Sequence, residues 1–237
     1  MNHAIIRKVP AIRSLSAITI EASAGTAGAV FGLVWAFGID PGTHPTKLND
    51  LIAQLVAGRA EGLGEEEDAV RRASRDILRF GRYKPTGRGK PASEYLLRAA
   101  SEGDFPRISP PVDICNYISL RHLVPASVWD LDLAGVSYTI RRGRAGESYV
   151  FNAGGQEIGL EDLLLVSREP ADIPAVNPVK DSHATKTHAE TRNLAGVVYM
   201  PEHAGVDAAS ICEEFAALLG GCGSNPETGF RVIPGRS

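Results

Sequence analysis

The chain has 237 residues, 43% of them hydrophobic, enough to bury a substantial core, and this argues for one folded domain over residues 1–237 rather than a disordered chain. Lys and Arg number 25 against 28 Asp and Glu, a balance of −3 that excludes a global basic field, so any contact with nucleic acid has to come from a local patch. Three cysteines, Cys115, Cys212 and Cys222, form no C-x-x-C pair; the odd count fits reduced thiols in a cytoplasmic setting and argues against structural zinc.

The first element is a run of 18 uncharged residues between Glu21 and Asp40, ASAGTAGAVFGLVWAFGI, close to the length of a membrane span. Its first half is only weakly apolar, and Val30, Phe31, Leu33, Val34 and Trp35 suit a buried strand, so no membrane segment is expected. KLNDLIAQLVAGRA, Lys47 to Ala60, places Leu48, Leu51, Ile52, Leu55 and Val56 on one helical face. A second helix is expected from about Glu66 to Phe80, with its acidic run Glu65 to Asp68 at the N-terminus, where the helix dipole favours negative charge. A Gly/Pro-broken loop, RYKPTGRGKP, leads into a third helix with Ser93 or a neighbour as N-cap.

RISPPVDICNYISL then reads as a buried helix that carries Asp113, Cys115 and Asn116, polar groups that need partners if they are buried. The second half changes character. VSYTIRR, ESYVFN, DLLLVS and NLAGVVYM are short β-rich runs between turn signals, and a last helix spans about Asp207 to Leu219, packing Ile211, Phe215, Leu218 and Leu219. Helices grouped early and strands grouped late indicate an α+β fold with a mainly antiparallel sheet or sandwich packed by helices.

Cationic residues concentrate between Arg71 and Arg98, nine against only Asp76 and Glu94. For Arg71, Arg72 and Arg75 a solvated helix face is a sufficient account. Arg82, Tyr83, Lys84, Arg88 and Lys90 lie in the Gly-containing loop, where flexible cations and one aromatic ring suit phosphates and a base. A P-loop, a dinucleotide fingerprint and a G-x-S-x-G elbow are all absent, which disfavours a nucleotide cofactor. His183 and His188 are five apart, without the i, i+4 spacing of a helical metal site, and His3, His44, His122 and His203 are scattered, so no metal is expected.

Four pieces, RYKPTGRGKPASEYLLRAASEGDFPRISPPVDICNYISL, VPASVWDLDLAG, IRRGRAGES and VKDSHATKTHAETRN, occur in the order and spacing of the B3/B4 domain of the phenylalanyl-tRNA synthetase β subunit, which the chain resembles in that domain's free-standing form from about Arg79 to Met200. In the synthetase this domain is the editing module, which hydrolyses the ester of a wrongly attached amino acid, notably tyrosine. The resemblance implies an α+β fold, an aminoacyl-ester pocket, the charged 3′ end of a tRNA as partner, and no aminoacylation. VDICNY matches the family's V-D-x-x-N-Y helix, which makes Asn116 a pocket residue and Asp113 its anchoring companion. Cys115 stands where the synthetases often have threonine; a small buried hydrophobe is the preferred account of it. Ser127 stands where the synthetase has a pocket histidine, and Val197 about where it has a pocket glutamate, so tyrosine selectivity does not carry over.

The loop Lys180 to Thr191 is similar to the free-standing and archaeal version, R-D-S-D-x-T-K-x-T. It gathers Asp181, His183, Thr185, Lys186 and Thr187 within seven residues, the acid, base, hydroxyl and cation that ester hydrolysis calls for. Polar loops of this kind also exist simply to satisfy their own backbone. The expectation is a trans-acting aminoacyl-tRNA deacylase in which Asp181 or His183 orients water, Lys186 offsets negative charge, and Asn116, Cys115, Ser127, Thr185 and Thr187 line the substrate pocket. No metal or other cofactor is required, because the ester is already activated and the tRNA's free hydroxyl can assist. The alternatives are a non-catalytic module that binds tRNA or amino acid, and a small-molecule ester or amide hydrolase.

Overall fold

The structure is a computed structural model and describes residues 18–237. Three layers stack on one another. The central layer is an antiparallel sheet in the order β10 (Glu227–Pro234), β2 (Ala29–Phe37), β9 (Asn193–Pro201), β3 (Ala126–Asp130). On one face lies a second sheet in the order β1 (Thr19–Ala22), β4 (Ser137–Arg142), β7 (Leu164–Arg168), β8 (Ile173–Val176), antiparallel except for the parallel β1/β4 pair. On the other face lie α1 (Leu48–Arg59), α4 (Pro110–His122) and α6 (Ala208–Gly220), with α2 (Glu65–Asp76) and α3 (Ala92–Ser101) alongside. A four-residue helix, α5 (Leu131–Ala134), follows β3, and a small hairpin, β5 (Ser148–Val150) with β6 (Glu157–Gly159), projects from the second sheet.

This layering explains why β2 and β9 are apolar on both sides. Strand residues alternate faces, so Phe31, Leu33, Trp35, Val197 and Tyr199 fill the space between the sheets, while Val34, Ala36, Val198 and Met200 meet the helices. Trp129 of β3 joins the inter-sheet core and links the two sheets, its indole N–H donating to the Tyr138 hydroxyl at 2.8 Å with the rings edge to face. On the helical side, α6 packs tightly because β2 carries Gly32: a β-carbon there would lie 2.1 Å from Cys212 Sγ. Among the described residues no helix is long and apolar enough to cross a membrane.

Local boundaries differ from the sequence expectation where capping decides them. The second helix stops at Asp76 rather than Phe80, and the next segment turns instead, closing on a Phe80–Tyr83 bridge. The third helix starts at Ala92 behind Pro91, whose fixed φ suits a helix entry, and Ser93 is buried inside it. Asp113 anchors the start of α4: its carboxylate accepts from the Ile108 N–H at 2.7 Å and from Arg107 Nε at 2.9 Å. Arg141, buried in β4, is held by Glu147 (2.7 and 2.8 Å) and Asp172 (2.7 Å). Glycine is needed at position 143 because a β-carbon there would lie 1.8 Å from the Leu160 carbonyl oxygen.

Candidate active site

The segment between β8 and β9, residues 177–192, packs against β8, β5 and α5 and reaches β3 through Asp181. Asn177 starts it. Its buried side-chain oxygen accepts from the N–H groups of Val179 and Lys180 at 2.7 and 2.8 Å, forcing a tight turn, and its Nδ2 donates to the Tyr149 hydroxyl at 2.5 Å. That hydroxyl donates in turn to the Lys180 carbonyl at 2.7 Å. The turn aims Asp181 at β3, where Ser127 Oγ donates to Asp181 Oδ1 at 2.7 Å; the Asn177 N–H donates to the same oxygen at 3.3 Å. Oδ2 accepts no hydrogen bond among the described residues.

The two residues that depart from the synthetase pattern therefore sit together. Ser127 on β3 is the register partner of Val197 on β9, both on the inter-sheet face. Serine is short enough to leave room for the Asp181 carboxylate, and valine removes a charge from beside it.

Burial raises the pKa of Asp181 from its ordinary 3.8 to about 7, against the lowering effects of the Ser127 hydroxyl, the Asn177 N–H and the Lys186 ammonium. Its neighbours are kept protonated. Burial first, and the Asp181 charge second, push the Cys115 thiol and the Tyr149 and Tyr199 hydroxyls well above their usual ranges. Tyr199 is fully buried with its hydroxyl unpartnered among the described residues. In this group, Asp181 is the acid that changes charge near neutral pH.

Asp181 forms part of the lining of a cleft of about 1110 Å³ between α3, the Gly87–Lys90 turn and the 177–192 segment. Its cations are Arg71, Arg88, Lys90, Arg98, Lys180 and Lys186, and the acids in its lining are Glu94 and Asp181, while Asp68 and Glu102 pair with Arg71 and Arg98 from outside it. Glu94 is already neutralised by Arg71 and Arg75. At the mouth, Phe151 is straddled by two lysines: Lys180 Nζ lies 3.9 Å from its ring centroid, and Lys186 Nζ donates to its carbonyl at 2.7 Å. The result is a positive cleft on a chain of net negative charge.

The sequence-derived candidates are divided by this geometry. Asp181, Lys186, Arg88 and Lys90 meet in the cleft, with Ser127 and Cys115 behind Asp181. His183 is exposed in a short 3-10 turn and lies outside the cleft lining, as does half-buried Asn116. The Thr185 hydroxyl is buried and donates to the Ala175 carbonyl at 3.0 Å, which serves the turn itself; half-buried Thr187 is outside the lining. In the basic loop, Arg82 projects toward Glu161 (3.5 Å) and Lys84 toward the Gly81 carbonyl (3.4 Å). Tyr83 packs against the inter-sheet core, donates to the Gly89 carbonyl at 2.7 Å, and has its pKa pushed up to about 12 by burial.

Three residues escaped the sequence reading. Asn177 was detectable as the first half of an Asn-Pro turn signal. Tyr149 was hidden in an ordinary β-run. Tyr95 falls off the apolar stripe of α3, a sign of exposure that a helical projection reveals. Among the described residues no cluster of three His, Cys, Asp or Glu side chains could hold a metal ion.

The B3/4 domain family matches residues 83–210, more than half of the chain, and this stretch includes the Gly87–Lys90 turn, β3 and the whole 177–192 segment. No curated protein matches the chain.

Proposed function

From the premise that the chain belongs to the B3/4 domain family, a module of tRNA-synthetase context, we propose that it is a trans-acting deacylase that hydrolyses the ester of a mischarged tRNA in the Asp181 cleft. The observation that carries this reading is Asp181 itself. It is a carboxylate with one oxygen held by Ser127 and Asn177, the other free of hydrogen bonds within the described chain, and a pKa near neutrality, the condition in which a group both accepts and returns a proton efficiently.

Asp181 Oδ2 takes a proton from water as the water oxygen bonds to the ester carbonyl carbon. Lys186 and Lys180 offset the charge that develops on the carbonyl oxygen. The bond to the ribose oxygen then breaks, and that oxygen receives the proton back from Asp181 or through the adjacent ribose hydroxyl, leaving free amino acid and uncharged tRNA. Cys115 has no part in the bond changes, because its thiol is held protonated. The cations of the cleft suit a polyanion, which favours a charged tRNA end over a small ester. The three free, buried thiols suit the reducing cytoplasm, where charged tRNA is made.

Release of amino acid from a panel of mischarged tRNAs tests the proposal. The wild type is expected to cleave at least one member, and Asp181→Ala to do so at least ~10²-fold more slowly with little change in tRNA affinity. Wild-type protein that binds tRNA yet cleaves nothing on the panel would make it a binding module.

A further inference from the structure

Tyr95 is 66% exposed, on the outer side of a helix that buries Leu96, Ala99 and Ala100. A lone exposed tyrosine is ordinary. This one lines the same cleft as Asp181, one helical turn from Arg98 and in the company of Arg88 and Lys90 from the facing turn. Arg88 and Lys90 have no acidic partner among the described residues, and Glu94, the residue preceding Tyr95, is paired with Arg71 and Arg75. The only basic-loop aromatic, Tyr83, is engaged in packing. Of the two aromatic side chains that line the cleft, Phe151 already carries Lys180 over its ring, and Tyr95 is the exposed one.

We propose that Tyr95 is the stacking platform for the unpaired terminal base of an RNA 3′ end, with Arg88, Lys90 and Arg98 receiving the phosphates that precede it. The identity of the strand rests on the aminoacyl-tRNA reading; the stacking chemistry rests on the exposed ring and its cations. A ring with two-thirds of its surface in water gains by being covered, and every base offers a π-face, so the contact is indifferent to which tRNA arrives. The function follows from connectivity. The ribose that bears the terminal base also bears the ester, so a base clamped on Tyr95 limits where the ester carbonyl can lie and directs it toward Asp181 in the same cleft.

The test uses an uncharged RNA oligonucleotide ending in CCA, with 2-aminopurine in place of the terminal adenine, titrated into the full-length protein. Fluorescence should be quenched on binding to the wild type and to Tyr95→Phe. Tyr95→Ala, an exposed change that alanine's helix propensity tolerates, should lose the quenching and bind about 5- to 150-fold more weakly, the range for one lost stack. Wild-type binding with unchanged fluorescence, equal quenching and affinity in Tyr95→Ala, or failure of the wild type to bind the probe each overturns the proposal. Because the probe carries no ester, a protein that quenches it yet deacylates nothing would overturn the hydrolase reading and leave the platform standing. Deacylation of charged tRNA without any quenching would do the reverse.

Discussion

Asp181, near the start of the 177–192 segment, and Asp130, which holds the segment's end, are both largely buried carboxylates, yet their surroundings differ in kind. Asp130, 1% exposed, caps α5 by accepting from the Asp132 and Leu133 N–H groups at 2.7 and 3.1 Å. Its other oxygen accepts from the Thr191 hydroxyl at 2.5 Å and lies 3.3 Å from His188 Nε2. Both oxygens are filled, mostly by groups that cannot move, so Asp130 pins the end of the segment to β3. Asp181 lines a cleft with one oxygen filled and the other without a hydrogen bond among the described residues, and its pKa is displaced to about 7. Burial matched by hydrogen bonds makes a rivet; burial that exceeds them leaves a base.

The largest expected effects come from removing each carboxylate and following stability. Asp181 binds its proton more tightly folded than unfolded, so between pH about 4 and about 7 the native state keeps a proton the unfolded chain has lost. Stability therefore falls as the pH rises through that window, and by pH 8 the ionised group costs on the order of 4 kcal/mol relative to acid conditions. Asp181→Asn should remove that decline and be the more stable protein at pH 8 in urea unfolding, whereas Asp130→Ala should lose roughly 3 kcal/mol by orphaning the α5 cap and the Thr191 hydroxyl. Equal destabilisation by both would erase the distinction between the two sites.

The positive cleft sharpens the same contrast at longer range. Replacing Arg88 and Lys90 together by Ala should weaken tRNA binding and reduce the slope of log affinity against log salt by about 1 to 2, since each phosphate contact contributes a little under one. Arg82→Ala with Lys84→Ala, outside the cleft, should leave the slope nearly unchanged. Equal slopes in the two double variants would move the RNA path away from the Asp181 cleft.

The smallest effect is expected at Cys115, which adjoins Asp181 without serving it. Cys115→Ala should retain deacylation within about twofold and cost about 1 kcal/mol of packing. Iodoacetamide should label Cys115 in the folded protein far more slowly than an unfolded thiol at pH 8, because burial keeps it protonated and covered. Loss of turnover in both Cys115→Ala and Cys115→Ser would indicate thiol chemistry.

What the sequence reveals and what it hides follow from the range of the interactions. β2 and β9 announce themselves because a strand between two layers is apolar on both faces. β10 does not, since Gly229 and the exposed Phe230 and Val232 interrupt its pattern at the sheet edge. β3 is likewise hidden in VPASVWD, where it reads as part of a motif. The density of polar groups around Asp181 is local and legible. Its partner Ser127 lies 54 positions away, and from sequence alone it reads as the loss of a histidine; only tertiary structure turns that loss into a hydrogen bond. Tyr83 shows the converse: its loop composition suggests an available ring, while the fold uses that ring for packing.

The most direct test of Asp181 as the base is the pH dependence of single-turnover deacylation, corrected for spontaneous hydrolysis, on a mischarged tRNA that the wild type cleaves. The rate should rise as Asp181 ionises through pH about 7. Ser127→Ala should move that rise to higher pH, because the serine hydroxyl stabilises the ionised carboxylate. In Asp181→Asn the rise should vanish and the remaining rate should be at least ~10²-fold lower. An Asp181→Asn protein that retains both the rate and its rise near neutral pH would contradict the account.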